Sequence, residues 1–172
     1  MDTESNLKIT TLHLVKLICF SILGFSISTT AIASEELDIQ PNEAANVCEI
    51  AIAQVRVTVN NVGSGGILTV ELYDDPDNFL NKKGRKQRIR IPAAEGSHEV
   101  CFDIEEQGTY AVAAYHDVDG DRKLKKRWNM TPKEPFGLSN NPKLKFGFPK
   151  FSASAFTTDT LGADISIDLQ EL

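Results

Sequence analysis

The chain has 172 residues, 41% of them hydrophobic, with 18 Lys+Arg against 24 Asp+Glu and a formal net charge of −6. That composition supplies a globular core and is too polar for a protein of many membrane spans. The acidity argues against nucleic-acid binding, which needs a net basic face, and the length accommodates one domain.

Residues 1–33 read as a secretory signal peptide. Lys8 and Lys16 precede an apolar stretch from Leu17 to Ile27, and Ala31-Ile32-Ala33 supplies a small-residue cleavage site. The stretch is shorter than the ~20 apolar residues that a bilayer span takes, so an uncleaved anchor is the weaker alternative. Cleavage leaves residues 34–172, still at −6, because Asp2 and Glu4 balance Lys8 and Lys16. The product is expected in the periplasm or outside the cell, with no transmembrane span. It keeps Cys48 and Cys101. These form either a disulfide or two buried thiols, and an oxidising compartment favours the disulfide.

Residues 34–50 are polar, contain Pro41 and lack a period, and read as a flexible leader. From Ala51 the chain alternates. Ala51, Ala53, Val55, Val57 and Val59 share one face, and Gln54, Arg56 and Thr58 the other, which is the two-residue period of a half-buried strand. Gly63-Ser64-Gly65-Gly66 supplies a turn, and Leu68, Val70 and Leu72 alternate beyond it; the two strands are expected to pair as a hairpin. Arg88-Ile89-Arg90-Ile91 alternates within a basic stretch and reads as a solvated sheet edge. Val100, Phe102 and Ile104, then Tyr110 to His116, Ala155 to Thr157 and Ile165 to Leu169 continue the pattern. About seven short strands without an amphipathic helix predict an all-β antiparallel sandwich of immunoglobulin or transthyretin type over residues 51–172.

Residues 116–150 depart from that pattern. They hold Pro132, Pro135, Pro142 and Pro149 and several aromatics, so a long ordered loop packed over one end of the sandwich is expected. Its start, Asp117-Val118-Asp119-Gly120-Asp121, places acids at alternate positions like the front half of a calcium loop. Arg122 stands where such a loop has glycine, Trp128 stands at its twelfth position, and Glu134 is the nearest further ligand. A turn whose Asp side chains bond their own backbone is the other reading, and it weighs somewhat more. Zinc is disfavoured, because only His98 and His116 remain after cleavage. His116, Asp117 and Ser139 would form a hydrolytic triad only if the fold brought them together. No serine-hydrolase elbow, zincin, P-loop or dinucleotide fingerprint occurs.

The basic run Arg122 to Arg127 would meet an anionic polymer or simply face solvent. Trp128 and Phe136 form either an aromatic platform for a ligand or a cover for the core, and the cover is favoured. Lys133, Glu134, Ser139 and Asn140 join His116, Trp128 and Phe136 as candidate ligand-binding residues.

Four motifs follow one another in the chain: Gly108 to Val112, His116 to Asp121, Pro132 to Asn140, and Gly147 to Phe151 with Ala155-Phe156. Across Val55 to Leu169 they resemble domain-of-unknown-function family 2141, whose usual pattern has glycine where Arg122 stands. The resemblance implies an exported bacterial β-sandwich and carries no activity. The expected role is a binding or structural module meeting an envelope glycan or protein. The alternative is a calcium-dependent or hydrolytic enzyme acting on an envelope polymer.

Overall fold

The computed structural model describes residues 37–128, 131–143 and 149–171. The signal-peptide features, from Lys8 to Ala33, and Phe146, Gly147 and Phe148 lie outside them.

The architecture is an all-β sandwich of two sheets. Among the described residues eight strands run in chain order: β1 (Gln54–Val62), β2 (Ile67–Tyr73), β3 (Arg85–Pro92), β4 (Gly96–Asp103), β5 (Thr109–Asp117), β6 (Phe136–Leu138), β7 (Phe156–Thr157) and β8 (Gly162–Asp168). One helical turn, α1 (Phe151–Ser154), precedes β7. The smaller sheet has the order β4-β1-β8 and the larger β3-β2-β5-β6, with β7 on β5.

The alternation read from the sequence sets the core. Val55, Val57 and Val59 of β1 face Leu68, Val70 and Leu72 of β2, joined by Val100, Phe102, Val112 and Ile167. Each such side chain contributes roughly 1.5–3 kcal/mol by leaving water.

Three pairings depart from expectation. β1 and β2 do not form a hairpin: β1 pairs with β4 and β8, β2 with β3 and β5, and the glycine turn carries the chain between sheets. Gly66 sits at φ +71°, and a Cβ there would lie 2.1 Å from the Asp117 carbonyl oxygen, so the crossing lies directly on the end of β5. β8 runs parallel to β1, with Ile165 opposite Val57. The proline-rich segment contributes a strand of its own, β6, paired with β5. A Cβ on Gly137 of β6 would meet the Ile167 side chain at 2.6 Å, so β6 approaches β8 closely.

The long segment covers the outer face of the larger sheet rather than an end of the sandwich. Phe136, Leu138 and Phe151 pack on Tyr73, Ala111, Ala113 and Tyr115, with Phe79, Leu80 and Leu124 beside them. Phe79 meets Tyr73 and Phe151 edge to face, with ring centroids 5.3 and 5.5 Å apart. β5 is consequently buried on both faces from Tyr110 to Asp117.

Of the segment read as a flexible leader, residues 41–48 are held to the sandwich. Pro41–Glu43 forms a 3-10 turn against β3, Asn46 bridges Cys101, and Cys48 is disulfide-bonded to Cys101, with Cα atoms 5.3 Å apart. Among the described residues no helix is long and apolar enough to cross a membrane. Replacing both cysteines by serine is expected to lower the unfolding free energy by about 2–4 kcal/mol, because the bridge closes a long loop in the unfolded chain; a denaturant titration under non-reducing conditions measures it, and an unchanged midpoint contradicts it.

Candidate functional site

β5 ends at Asp117, which is 0% exposed, and the chain turns at once. Asp117 Oδ2 accepts the Arg122 backbone N–H at 2.6 Å, and Asp121 Oδ1 accepts the Lys123 N–H at 2.9 Å. The self-bonded turn weighed from the sequence is therefore present. Gly120 and Arg122 both take left-handed backbone, at φ +68° and +66°, so Arg122 holds a conformation that glycine adopts more easily.

The turn does not satisfy every oxygen. Asp117 Oδ1 is buried and has no hydrogen-bond partner among the described residues. A second hairpin brings another carboxylate to it: Lys133 N–H donates to the Lys125 carbonyl at 2.8 Å, and Glu134, also buried, accepts the Lys125 N–H on Oε2 at 3.0 Å. One carboxylate oxygen each from Asp117, Asp119 and Glu134 lies within 4.8 Å of the others. Asp121, named from the sequence as the third acid, falls outside this trio. Its carboxylate turns to the Lys123 N–H and to the Lys125 ammonium, 3.4 Å away, and that ammonium also pairs with Asp119.

Burial pushes the Asp117 carboxyl above its ordinary range despite the Arg122 N–H, and Asp121 and Asp119 push the same way. Burial likewise raises Glu134, reinforced by Asp117, Asp119 and Asp121. Three carboxylates that converge beside the unpartnered Asp117 Oδ1 fit a hard cation with oxygen ligands. The other close grouping of possible ligands, Cys48, Glu99 and Cys101, has its sulfurs engaged in the disulfide.

The remaining candidate residues separate. His116 is buried, with Nε2 2.6 Å from the Gly65 carbonyl oxygen, and so ties β5 to the glycine crossing. Ser139 Oγ accepts the Val112 N–H at 2.9 Å and donates to the Ser154 carbonyl at 2.5 Å. Asn140 Nδ2 donates to the Ala155 carbonyl at 2.8 Å. Phe136 is in the outer aromatic cluster. His116 and Ser139 thus serve backbone groups in different places, and the triad is not assembled. Lys133 is exposed. Trp128 is 96% exposed, which overturns its expected part in covering the core.

A second polar cluster had no local signal. Glu43, 2% exposed, accepts from three guanidiniums: Arg90 at 2.7 Å, Arg122 at 2.7 Å, and Arg88. Arg88 and Arg90 stand on the outer face of β3, with Ile89 in the core between them. The edge read as solvated is therefore roofed by the N-terminal segment, and Arg90 is only 3% exposed. Burial alone would raise the Glu43 carboxyl, but Arg90, Arg88 and Arg122 outweigh it and hold it below its ordinary value. Arg122 also pairs with Asp38 at 2.8 Å.

Comparison with known proteins gives one match. The family described as "uncharacterized protein conserved in bacteria", DUF2141, matches residues 57–166. The chain belongs to domain-of-unknown-function family 2141. No curated protein and no solved structure matches it. The family 2141 match spans β1 to β8, the acidic turn and Glu134, and begins after Glu43 and Cys48. The clamp on Arg88, Arg90 and Arg122 thus comes from outside the matched region.

Removing Glu43 leaves buried positive charge without its partner, which costs several kcal/mol in enclosed pairs; Arg88 and Arg122 keep some solvent contact. Glu43→Ala is expected to destabilise by about 3 kcal/mol in a urea titration. A folded-state value below the unfolded 4.5 means that the stabilisation is present above about pH 4.5 and is lost as pH falls through the folded value. Glu43→Gln is therefore expected to lose part of the acid-side slope of stability that the parent protein shows.

Proposed function

We propose that the chain is an exported binding module of the bacterial cell envelope, periplasmic or extracellular, whose turn from Asp117 to Glu134 closes on a calcium ion. The basic and apolar leader ending at Ala33 supports export, and so does the Cys48–Cys101 bridge, which persists in oxidising compartments. Binding rather than catalysis is favoured because His116 and Ser139 are engaged with backbone carbonyls and amides.

The observation that carries calcium is the buried, unpartnered Oδ1 of Asp117, beside Asp119 and Glu134. A buried carboxylate oxygen without a donor is costly, and a divalent cation among oxygen ligands removes that cost. Calcium suits the set better than zinc, since no imidazole or thiolate takes part. Further oxygens would come from backbone carbonyls and water, as in other calcium loops. The ion would fix the turn that carries Arg122 and Lys123, and with it the surface offered to an envelope glycan or protein.

A ligand that binds only the folded state raises the midpoint of unfolding. At calcium a hundredfold above its dissociation constant the gain is about 2.7 kcal/mol, or roughly 5–10 °C for a domain of this size. Melting in calcium and in chelator reads it directly. Asp117→Asn and Glu134→Gln are expected to abolish the shift without lowering the midpoint in chelator, whereas Asp121→Asn keeps it. Superimposed curves at millimolar calcium overturn the assignment.

A further inference from the structure

The outer face of the larger sheet holds a hollow of about 240 Å³ that the calcium trio does not use. Tyr73, Tyr115 and Phe136 form its floor, with Leu80 and Leu124 beside them. Seven cationic residues line it, and Glu71 is the only carboxylate among its described lining residues. That concentration is notable in a chain whose net charge is −6.

Four of the seven are arginines, and their negative partners fall short. Arg85 pairs with Glu71 at 2.5 Å, and Tyr73 Oη donates to the same carboxylate at 2.6 Å. Arg88, Arg90 and Arg122 share the carboxylate of Glu43, and only Arg122 has a second one, the exposed Asp38 at 2.8 Å. Arg88 Nε is buried with no partner among the described residues. Burial, together with Arg90 and Arg85, lowers the Arg88 pKa, the effect of like charges held close out of water. The exposed Lys82 and Lys123 add positive charge at the rim.

A guanidinium presents parallel N–H groups that match the two oxygens of a carboxylate or phosphate. The volume selects the size of the guest. It lies below the 300–1,000 Å³ typical of sites for drug-sized ligands. That admits one small charged group and the ring or stub that bears it.

We propose that this hollow binds a single oxyanion, the carboxylate or phosphate of an acidic envelope-glycan unit, held by the Arg85, Arg88 and Arg122 guanidiniums above Tyr73 and Tyr115. The proposal rests on the chain being a binding module and adds the chemistry of what is bound; it does not require calcium.

The test titrates sodium glucuronate, glycerol 3-phosphate and inorganic phosphate into the purified protein in chelator at constant ionic strength, with glucose as the neutral control, followed by amide chemical shifts. Saturable shifts are expected along β2, β3 and residues 122–126 with at least one of the three acids, and none with glucose. A response to glucuronate alone identifies a sugar acid, a response to the phosphates alone a phosphorylated unit, and a response to all three the oxyanion itself. Lys123→Glu, at an exposed position, is expected to weaken the binding at least tenfold without altering the fold, and Arg88→Met to abolish it. Should Arg88→Met fail to fold, Lys123→Glu decides. No saturable shift with any acid, shifts confined to another face, or unchanged affinity in Lys123→Glu overturns the proposal. Saturation here with a flat calcium melt removes the calcium assignment alone, and the converse removes this site alone.

Discussion

Water is kept from both faces of β5, and the rest of the molecule is arranged around that exclusion. Val112 and Ala114 face the sandwich interior, while Ala111, Ala113 and Tyr115 face the opposite way into a second apolar cluster. A sheet face left bare would suit a two-layer sandwich. Here it carries Tyr73, Ala111, Ala113 and Tyr115, so it needs a cover, and the proline-rich segment supplies one through Phe136, Leu138 and Phe151. The prolines restrict the unfolded chain and so reduce the entropy lost in laying that cover down.

Covering the face also encloses polar groups of both signs. Asp117 lies where β5 runs out from under the cover, and Glu134 is carried to it by the returning hairpin. On the other flank Arg88 and Arg90 are enclosed by the turn bearing Glu43. Arg122 belongs to both regions: its backbone N–H holds Asp117, and its side chain reaches Glu43 and Asp38. Those ion pairs give a physical reason for an arginine in left-handed backbone that glycine adopts more easily. The acidic and basic clusters are thus two sides of one turn.

Much of this was legible in the residues. The alternation of Val55, Val57 and Val59 marked the core face, and that of Ile89 with Arg88 and Arg90 marked which side of β3 faces inward. Asp117 and Asp119 were visible from their spacing, and Glu134 as the nearest acid beyond them. The rest depends on contacts that local pattern does not encode. Alternation says which face is apolar but not what lies on the other, so the roof of Glu43 over Arg88 was invisible across a separation of 45 residues. A glycine turn looks the same whether it joins strands within a sheet or between sheets, and Gly63 to Gly66 does the latter. Phe136-Gly137-Leu138 is too short, and too close to Pro135, to show a period. Asp121 shares the spacing of its neighbours, yet the curl of the backbone turns it toward Lys123 and Lys125.

The parallel pairing of β1 with β8 sets Gln54 beside Gly162 and Asn60 beside Asp168. Almost the whole domain separates these partners, and closing so long a loop delays their meeting. The middle strand of the smaller sheet therefore keeps one edge open in any nascent chain that has not yet yielded β8. Such a chain therefore stays pliable until its last strand has been made.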